Sequence, residues 1–190
     1  MNQKHIASID FSMSAPCMAI SSLNDISFEN VKFYYITKIA KYAGIFDNIQ
    51  GFKDQLYYSQ EERFDNISTV FIEILSSFNV KDVAIEGYSY SSTGVVFDIA
   101  ENTGVLKHKL FKNKINIHLI PPAEVKKIAS GKGNATKQEM FNSFLTQQNI
   151  DFRSKIQYNK TKIDNPVSDI VDSYFILKIL QQRLNSQNAN

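Results

Sequence analysis

Four carboxylates in three separated places of the chain have types and positions suited to metal chemistry. Two of them end short apolar runs and two stand three residues apart in one segment: Asp10, Glu86, Asp169 and Asp172. Carboxylates at apolar positions are costly to bury and are retained mainly when they are paired or bound to a metal. An all-oxygen ligand set suits Mg²⁺ or Mn²⁺. Four such groups carry enough negative charge for two divalent cations about 4 Å apart, the arrangement used for in-line attack on a phosphodiester.

Basic side chains gather in three stretches, although the net charge of +2 is too small to indicate a nucleic-acid partner by itself. One group follows a predicted helix, the next surrounds a glycine loop, and the third precedes the last helix. In that order they are Lys107, Lys109, Lys112 and Lys114; Lys126, Lys127, Lys132 and Lys137; and Arg153, Lys155, Lys160 and Lys162. Any one group is typical of a solvated surface, but three groups beside a carboxylate cluster favour binding to DNA phosphates.

Length and composition are those of one folded domain spanning residues 1–190, since 43% of the residues are hydrophobic and 12% are aromatic. The single cysteine, Cys17, excludes an intramolecular disulfide, and the three histidines form no ligand pair at helical spacing, so no zinc site is expected. A lone thiol suits a reducing cytoplasm. No apolar stretch approaches the roughly 18 residues of a membrane helix, so we expect a soluble protein without a membrane partner.

The pattern of apolar residues predicts an α/β fold in which helices cover a mixed sheet of about five strands. Strands are predicted at 6–10, 19–23, 31–36, 80–86 and 116–120, and helices at 67–78, 95–111, 122–129 and the end of the chain. Asp10 and Glu86 thus lie at the carboxyl ends of strands, where α/β sheets commonly carry their sites. The stretch 37–60 has a looser pattern and is interpreted as an insertion that serves as a lid, a dimer element or a DNA-contact arm.

The last helix is predicted to have Asn165 as its N-cap and Pro166 at its first position. This places Asp169 and Asp172 on one face of the helix. The helix dipole favours acids in the first turn only, so it explains Asp172 poorly. The two aspartates border an apolar stripe, as ligands of a metal held against a sheet would.

The segment from Gly131 to Lys137 differs from a nucleotide-binding P-loop in the order and spacing of its glycines and its Thr-Lys pair. Gly131 is predicted to end one helix, and Thr136 with Glu139 to form a capping box that starts the next. The capping box explains neither the second glycine, Gly133, nor the surrounding lysines. A thin backbone beside basic groups suits a DNA strand that passes close to it.

The order of an aspartate, a glutamate and a paired aspartate resembles RuvC-type Holliday junction resolvases, which have an RNase H-like fold. Two blocks carry the resemblance: Val125-Lys126-Lys127 through Gly131-x-Gly133-x-Ala135-x-Lys137, and Asn165-Pro166-x-x-Asp169-x-x-Asp172. The resemblance implies that the four acids named above are the metal-binding catalytic residues, with Lys137 beside them. It also implies Mg²⁺, a homodimer, symmetrical nicking of a four-way junction, and a place near the scissile strand for Lys126 and Lys137. The neighbouring Lys127 and Lys132 are predicted DNA contacts from their position around the glycine loop.

Two departures from the family pattern point to a divergent member, similar to phage-encoded versions that would act in the host cytoplasm. Asp10 is followed by Phe11-Ser12-Met13-Ser14 where cellular members usually have a proline-glycine turn, and residues 37–60 look like extra material. The family places an aromatic residue just after its glutamate to intrude at the junction, but here Tyr88 and Tyr90 flank the corresponding position. Both tyrosines are predicted DNA contacts, and a role in the core stays open for each.

The sequence therefore predicts a dimeric structure-selective endonuclease that resolves four-way junctions by a two-metal mechanism and reads the shape of branched DNA. Two Mg²⁺ ions per site are expected, with Mn²⁺ as an alternative, and no small-molecule cofactor. One alternative function is a related nuclease acting on flaps, forks or RNA-DNA hybrids. Another, of a different class, is a non-catalytic scaffold that binds branched DNA.

Overall fold

The computed structural model describes residues 4–87, 96–157 and 161–188. Within those ranges the elements are β1 (His5–Asp10), β2 (Cys17–Ser22), β3 (Lys32–Thr37), β4 (Gly44–Phe46), β5 (Ile49–Lys53), α1 (Gln60–Ser77), β6 (Asp82–Glu86), α2 (Val96–Lys112), β7 (Asn116–Ile120), α3 (Pro122–Ser130), α4 (Lys137–Gln148), α5 (Arg153–Ile156) and α6 (Val167–Asn188). The predicted α/β class is confirmed. None of the described helices combines the length and apolar character needed to cross a bilayer.

The seven strands of the described residues form one sheet, in the order β4-β5-β3-β2-β1-β6-β7. β6 runs parallel to both β1 and β7, β2 runs antiparallel between β1 and β3, and β5 runs parallel to β3. Five strands therefore point the same way: β1, β3, β5, β6 and β7. Their carboxyl ends lie along one side of the sheet, which we call the carboxyl edge, and the opposite side is the amino edge.

The sheet has two strands more than predicted, and both come from the stretch 37–60. β5 pairs with β3, and β4 folds back onto β5 through a turn in which Asp47 has a φ of 56°. Glycines interrupt both segments, so the alternation that identifies a strand is lost in the sequence. Gly51 is required by its surroundings, because a Cβ there would lie 2.5 Å from the ring of Tyr35. That this stretch is an insertion stays a prediction.

Helices cover both faces of the sheet, and the alternation along β1 decides which side chains meet which helix. Ile6 lies in the core shared with α3, α4 and α6, whereas Ala7 and Ile9 lie in the core shared with α1 and α2. On the α6 side, Ser8 Oγ donates a 2.6 Å hydrogen bond to the carbonyl oxygen of Ser173. Because side chains alternate along a strand, Asp10 is directed to the same side as Ser8, towards α6.

The only cysteine of the chain is buried in this same layer. Cys17 Sγ lies 3.4 Å from Ser173 Oγ, between β2 and α6. Burial raises the pKa of the Cys17 thiol well above its usual range, and the neighbouring Asp169 raises it further. The thiol is therefore protonated and inert at neutral pH, since the thiolate is the reactive form.

The start of α6 differs from its prediction. The helix begins at Val167, and Asn165 and Pro166 form a turn with a cis peptide bond before it. Asn165 Oδ1 accepts hydrogen bonds from Ser168 Oγ at 2.7 Å and from Lys137 Nζ at 3.1 Å. The prediction of Asn165 as N-cap was wrong. The helix begins two residues later, and the side-chain oxygen of Asn165 accepts hydrogen bonds from these two side chains.

Two glycine substitutions test how the sheet is packed. We expect Gly51→Ala to lower the free energy of unfolding by about 1–3 kcal/mol, because a Cβ would overlap the Tyr35 ring and the carbonyl oxygen of Tyr42. Gly104→Ala is the matched control, since a Cβ in that position of α2 meets nothing within 4 Å. It should raise stability by about 0.5–1 kcal/mol. Denaturant unfolding measures both, and an unchanged stability of Gly51→Ala would contradict the packing described.

Candidate active site

The carboxyl edge places two of the predicted acids next to each other. β1 and β6 are parallel neighbours with Ile9 paired to Ile85, and Asp10 and Glu86 are the next residue of each strand. Both acids lie on the face of the sheet that α6 covers, because Ser8 and Ala84 precede them by two residues on that face. Neighbouring strands are about 4.8 Å apart, so the two carboxylates share one location.

The first two turns of α6 bring the other two acids to the same location. Asp169 is 3% exposed and shares hydrogen bonds with Asp10 and with the hydroxyl of Ser12. Asp172 is half-buried, one turn further along the helix. The position of α6 over β1 is fixed by apolar packing and by the Ser8 to Ser173 hydrogen bond directly after Asp172. The four predicted acids are thus brought together.

A cleft of 590 Å³ opens over these acids. Asp10, Glu86 and Asp172 line it, while Asp169 lies beneath, between β1 and α6. The other walls come from the start of α2, the start of α3, and the loop before α4 with the first turn of that helix; they include Ile99, Thr103, Pro122, Val125, Lys126, Asn134, Thr136, Lys137 and Met140. The lining therefore combines three acids with two lysines, Lys126 and Lys137.

Burial raises the pKa of all four acids, and repulsion by neighbouring acids adds to the shift of Asp10, Glu86 and Asp169. Burial, then the charges of Asp10 and Asp172, raise the pKa of Glu86 to about 8. Burial raises the pKa of Asp169 to about 7 and that of Asp172 to about 6, although Lys137 opposes both shifts. The pKa of Asp10 is raised well above its usual range by burial and by the charges of Asp169 and Asp172. Such shifts cluster at functional sites.

The donor set fits a divalent cation, although the four acids are not converged on a single point. No group of three or more His, Cys, Asp or Glu side chains in the described ranges stands in a metal-ligating arrangement. Asp169 Oδ2, however, is buried with no hydrogen-bond partner. A buried carboxylate oxygen without a partner is costly, and a cation would remove both that cost and the repulsion among the acids. Hard oxygen donors of this kind are the ligands of Mg²⁺ and Mn²⁺.

Lys137 reaches the cleft from the first position of α4. The predicted capping box is present: Thr136 Oγ1 accepts from the Glu139 N–H, and Glu139 accepts from the Thr136 N–H. Lys137 Nζ donates to Asn165 Oδ1 and to Ser168 Oγ, each at 3.1 Å. Two neutral oxygens beside the acidic helix therefore fix the ammonium group at the cleft wall.

The remaining lysines around the glycine loop fall into two classes. Lys126 lines the cleft and lowers the pKa of Glu86 and of Asp172. Lys127 and Lys132 are exposed and lie outside the cleft lining. Gly131 ends α3 in the left-handed conformation, as predicted, with a φ of 80°. Two of the four predicted lysines, Lys126 of α3 and Lys137 of α4, therefore line the cleft.

Other predicted contacts lie away from the cleft or outside the described residues. Tyr88 and Tyr90 belong to the residues that the structure does not describe. The first predicted basic group does not follow one helix throughout, since Lys114 lies beyond the end of α2, and Lys109 forms a 2.8 Å ion pair with Asp65. In the third group Arg153 pairs with Asp151, and Lys155 pairs with Asp47.

Several residues that shape the site were missed by the sequence reasoning. Ser12 bonds Asp169, Ser14 accepts from the Asn165 amide, and Ser168 holds Lys137. Arg63 of α1 is 4% exposed and donates to the carbonyl oxygen of Met13, in the loop that follows Asp10. The sequence does carry a signal for Ser12 and Ser14, because both follow closely after Asp10 at the end of β1. Nothing local marks Arg63, because its partner is 50 residues away.

Comparisons with known proteins place the chain beside junction-resolving enzymes. A family sequence model described as "Crossover junction endodeoxyribonuclease RuvC" matches residues 51–161. A curated protein of that name from Prochlorococcus marinus (strain NATL2A) is 26% identical over 116 residues, which cover 56% of this chain and 75% of the relative. The one from strain MIT 9312 is 25% identical over 131 residues, 69% of this chain and 74% of the relative.

Solved structures agree on the fold. Thermus thermophilus RuvC in complex with a Holliday junction substrate is similar with a TM-score of 0.62 and 13% identity, over 96% of this chain and 97% of that one. The yeast mitochondrial Holliday junction resolvase Ydc2 gives 0.57 and 15%, over 97% and 81%. At these identities the likeness concerns the fold, and it confirms the predicted RNase H-like architecture.

The raised pKa of Glu86 makes stability depend on pH in the absence of metal. An acid with a pKa of 4.5 when unfolded and about 8 when folded binds more protons in the native state between those values, so stability falls as pH rises through that window. In EDTA, Glu86→Gln should remove part of this loss and raise the Tm at pH 8 by several degrees, but not at pH 4. The exposed Glu73→Gln of α1 is the control. Equal effects of the two substitutions at pH 8 would contradict the described electrostatics.

Proposed function

Because the chain belongs to the RuvC family of crossover junction endodeoxyribonucleases, we propose that it nicks four-way DNA junctions symmetrically by metal-dependent hydrolysis of phosphodiesters. The observation that carries the proposal is the meeting of four carboxylates from β1, β6 and α6 below one cleft with a basic wall. Family membership supplies the class of reaction. The cleft supplies a place where an anionic backbone and its cations would meet.

We propose that Asp10, Glu86, Asp169 and Asp172 hold the cations, two Mg²⁺ ions or Mn²⁺ in their place. Bound there, they would supply activation of a water molecule and stabilisation of the leaving oxygen. Asp10, Glu86 and Asp172 are the ligands open to the cleft, whereas Asp169 offers its unpartnered Oδ2 from beneath. The raised pKa values of these acids in the metal-free protein fit sites that a cation completes.

Lys137 is the proposed catalytic cation of the protein itself. Its ammonium group has three donors, and the hydrogen bonds to Asn165 and Ser168 occupy two of them. The third is left for a phosphate oxygen in the cleft. Lys126 on the same wall would bind the strand as a second positive charge.

DNA outside the cleft would meet the exposed lysines of the glycine loop. Lys127 and Lys132 are proposed as phosphate contacts outside the cleft, and Tyr88 and Tyr90 remain the proposed stacking residues. Cutting two strands related by the symmetry of a junction requires two sites, so we propose a homodimer. Recognition would rest on the shape of the branched DNA.

The proposal is tested by cleavage of matched substrates. We expect Mg²⁺-dependent paired nicks in a synthetic four-way junction, none in EDTA, and little cutting of a linear duplex. Asp10→Asn should abolish cleavage and retain junction binding, because it removes one ligand charge and keeps the size of the side chain. The exposed Asp151→Asn is the control and should cut like the wild type.

Each contrary outcome points to a specific alternative. Full activity of Asp10→Asn would overturn the assignment of the site. Preferred cutting of flaps, forks or RNA-DNA hybrids would keep the site and change the substrate. Tight junction binding by the wild type without nicking in Mg²⁺ or Mn²⁺ would indicate a non-catalytic scaffold.

A second substitution isolates the lysine at the cleft wall. Lys137→Met should lower the rate of single-turnover cleavage by roughly 10²–10³-fold, the usual effect of removing one donor to a developing negative charge. Lys132→Met is the matched control, because Lys132 lies in the same loop but outside the cleft lining. It should weaken binding without changing the rate at saturating protein. A Lys137→Met variant that cuts as fast as the wild type would remove Lys137 from the catalytic group.

A further inference from the structure

The carboxyl edge carries a second group of lysines, beyond the ends of β3 and β5. Thr37 is paired with Lys53 at the ends of these strands, and Lys38 and Lys41 follow Thr37. All three lysines are exposed. The stretch 37–60, which the sequence left without a definite role, therefore places three positive charges on the edge that also bears the four acids.

Exposed aromatic side chains accompany these lysines. Tyr58 is 100% exposed, and its backbone is fixed by a 2.7 Å hydrogen bond from its N–H to Glu62. Tyr57 accepts a 3.1 Å hydrogen bond from Lys38 Nζ and has the Arg63 guanidinium 5.7 Å from its ring centre. We call Lys38, Lys41, Lys53, Tyr57 and Tyr58 the lysine-tyrosine surface.

A buried ion pair joins this surface to the loop that follows Asp10. Arg63 Nε donates to Asp54 Oδ2 at 2.9 Å, and both side chains are at most 8% exposed. The Asp54 N–H donates to the Thr37 carbonyl oxygen at 2.8 Å, and Arg63 Nη2 donates to that of Met13 at 2.9 Å. Arg63 thereby neutralises the charge of Asp54, which follows Lys53 at the end of β5. Arg63 therefore fixes the lysine-tyrosine surface relative to the loop that follows Asp10.

We propose that the lysine-tyrosine surface is a second DNA-binding surface, which holds the arm of branched DNA that leaves the cleft; this rests on the proposed function. β3 and β5 lie two and three strands from β1, so the surface begins about 10–15 Å from Asp10 along the edge. At 3.4 Å per base pair, that is roughly three to four base pairs. The lysines bind phosphates, and the Tyr58 ring stacks on a base exposed near the branch.

A DNA arm suits this surface better than a second copy of the chain. Lysines are depleted in the buried centres of protein interfaces, because their charges are costly to desolvate. Three exposed lysines beside a free aromatic ring are the composition of sites that bind nucleic-acid backbones and bases. The continuity with the acidic cleft along one edge gives a single path for one DNA arm.

The salt dependence of binding tests the proposal with a matched control. In Lys38→Gln/Lys41→Gln/Lys53→Gln, the slope of log Kd for a four-way junction against log salt should fall by about 2 to 3, since each B-DNA phosphate contact contributes about 0.9. The control is Lys4→Gln/Lys32→Gln/Lys81→Gln, three exposed lysines at the amino edge. It has the same change in charge and should keep the wild-type slope. Tyr58→Ala should weaken junction binding about fivefold or more with an unchanged slope.

The outcomes separate this inference from the proposed function. If the wild type nicks the junction and the two triple variants have equal slopes, the inference is overturned and the proposed function stands. Tyr58→Ala binding as tightly as the wild type would overturn the stacking contact. A change of mass in light scattering that accompanies the loss of binding would identify the surface as a contact between copies. A wild type that neither binds nor nicks would overturn both proposals.

Discussion

The confinement of four carboxyl groups to one partly buried location is the constraint on which this molecule depends. Burial raises the pKa of each acid. The charges of two neighbouring acids raise the pKa of Asp10 and that of Glu86 further. Lys126 and Lys137, which line the same cleft, lower the pKa of Asp172. The fold holds this unfavourable arrangement through apolar packing of α6 on β1 and β2 and through neutral donors such as Ser12. Such a site is ready for cations because nothing inside the protein satisfies it completely.

The part of the site that depends on local pattern was predictable from the sequence. Asp10 and Glu86 end strands whose apolar runs are unmistakable, and Asp169 and Asp172 stand at helical spacing. The strand order that makes β1 and β6 neighbours is a global property, but parallel strands with helical connections leave few arrangements. The roles of individual acids in catalysis remain proposals.

The rest depends on partners far apart in the chain or on glycine. β4 and β5 escaped prediction because Gly44 and Gly51 break their alternation, and Gly51 is explained only by the Tyr35 ring on a neighbouring strand. The residues around Asn165 predict a helix N-cap. Its side-chain oxygen instead accepts a hydrogen bond from Lys137, 28 residues earlier in the chain. Arg63 has no pattern at all, and its importance lies in the two loops it joins. Long-range polar contacts of this kind are set by the tertiary structure and leave no periodic trace.

The burial of Cys17 beside Ser173 has a practical consequence for spectroscopy. Since the chain has one cysteine and its thiol is protonated and covered, a thiol-reactive fluorophore or spin label would find no native target. A cysteine introduced at an exposed position of the carboxyl edge outside the lysine-tyrosine surface, such as Leu56, would then be modified alone. Distances from that label to a donor dye at the end of one DNA strand would report in solution how the nucleic acid lies on the protein. No natural residue of the core would have to be replaced.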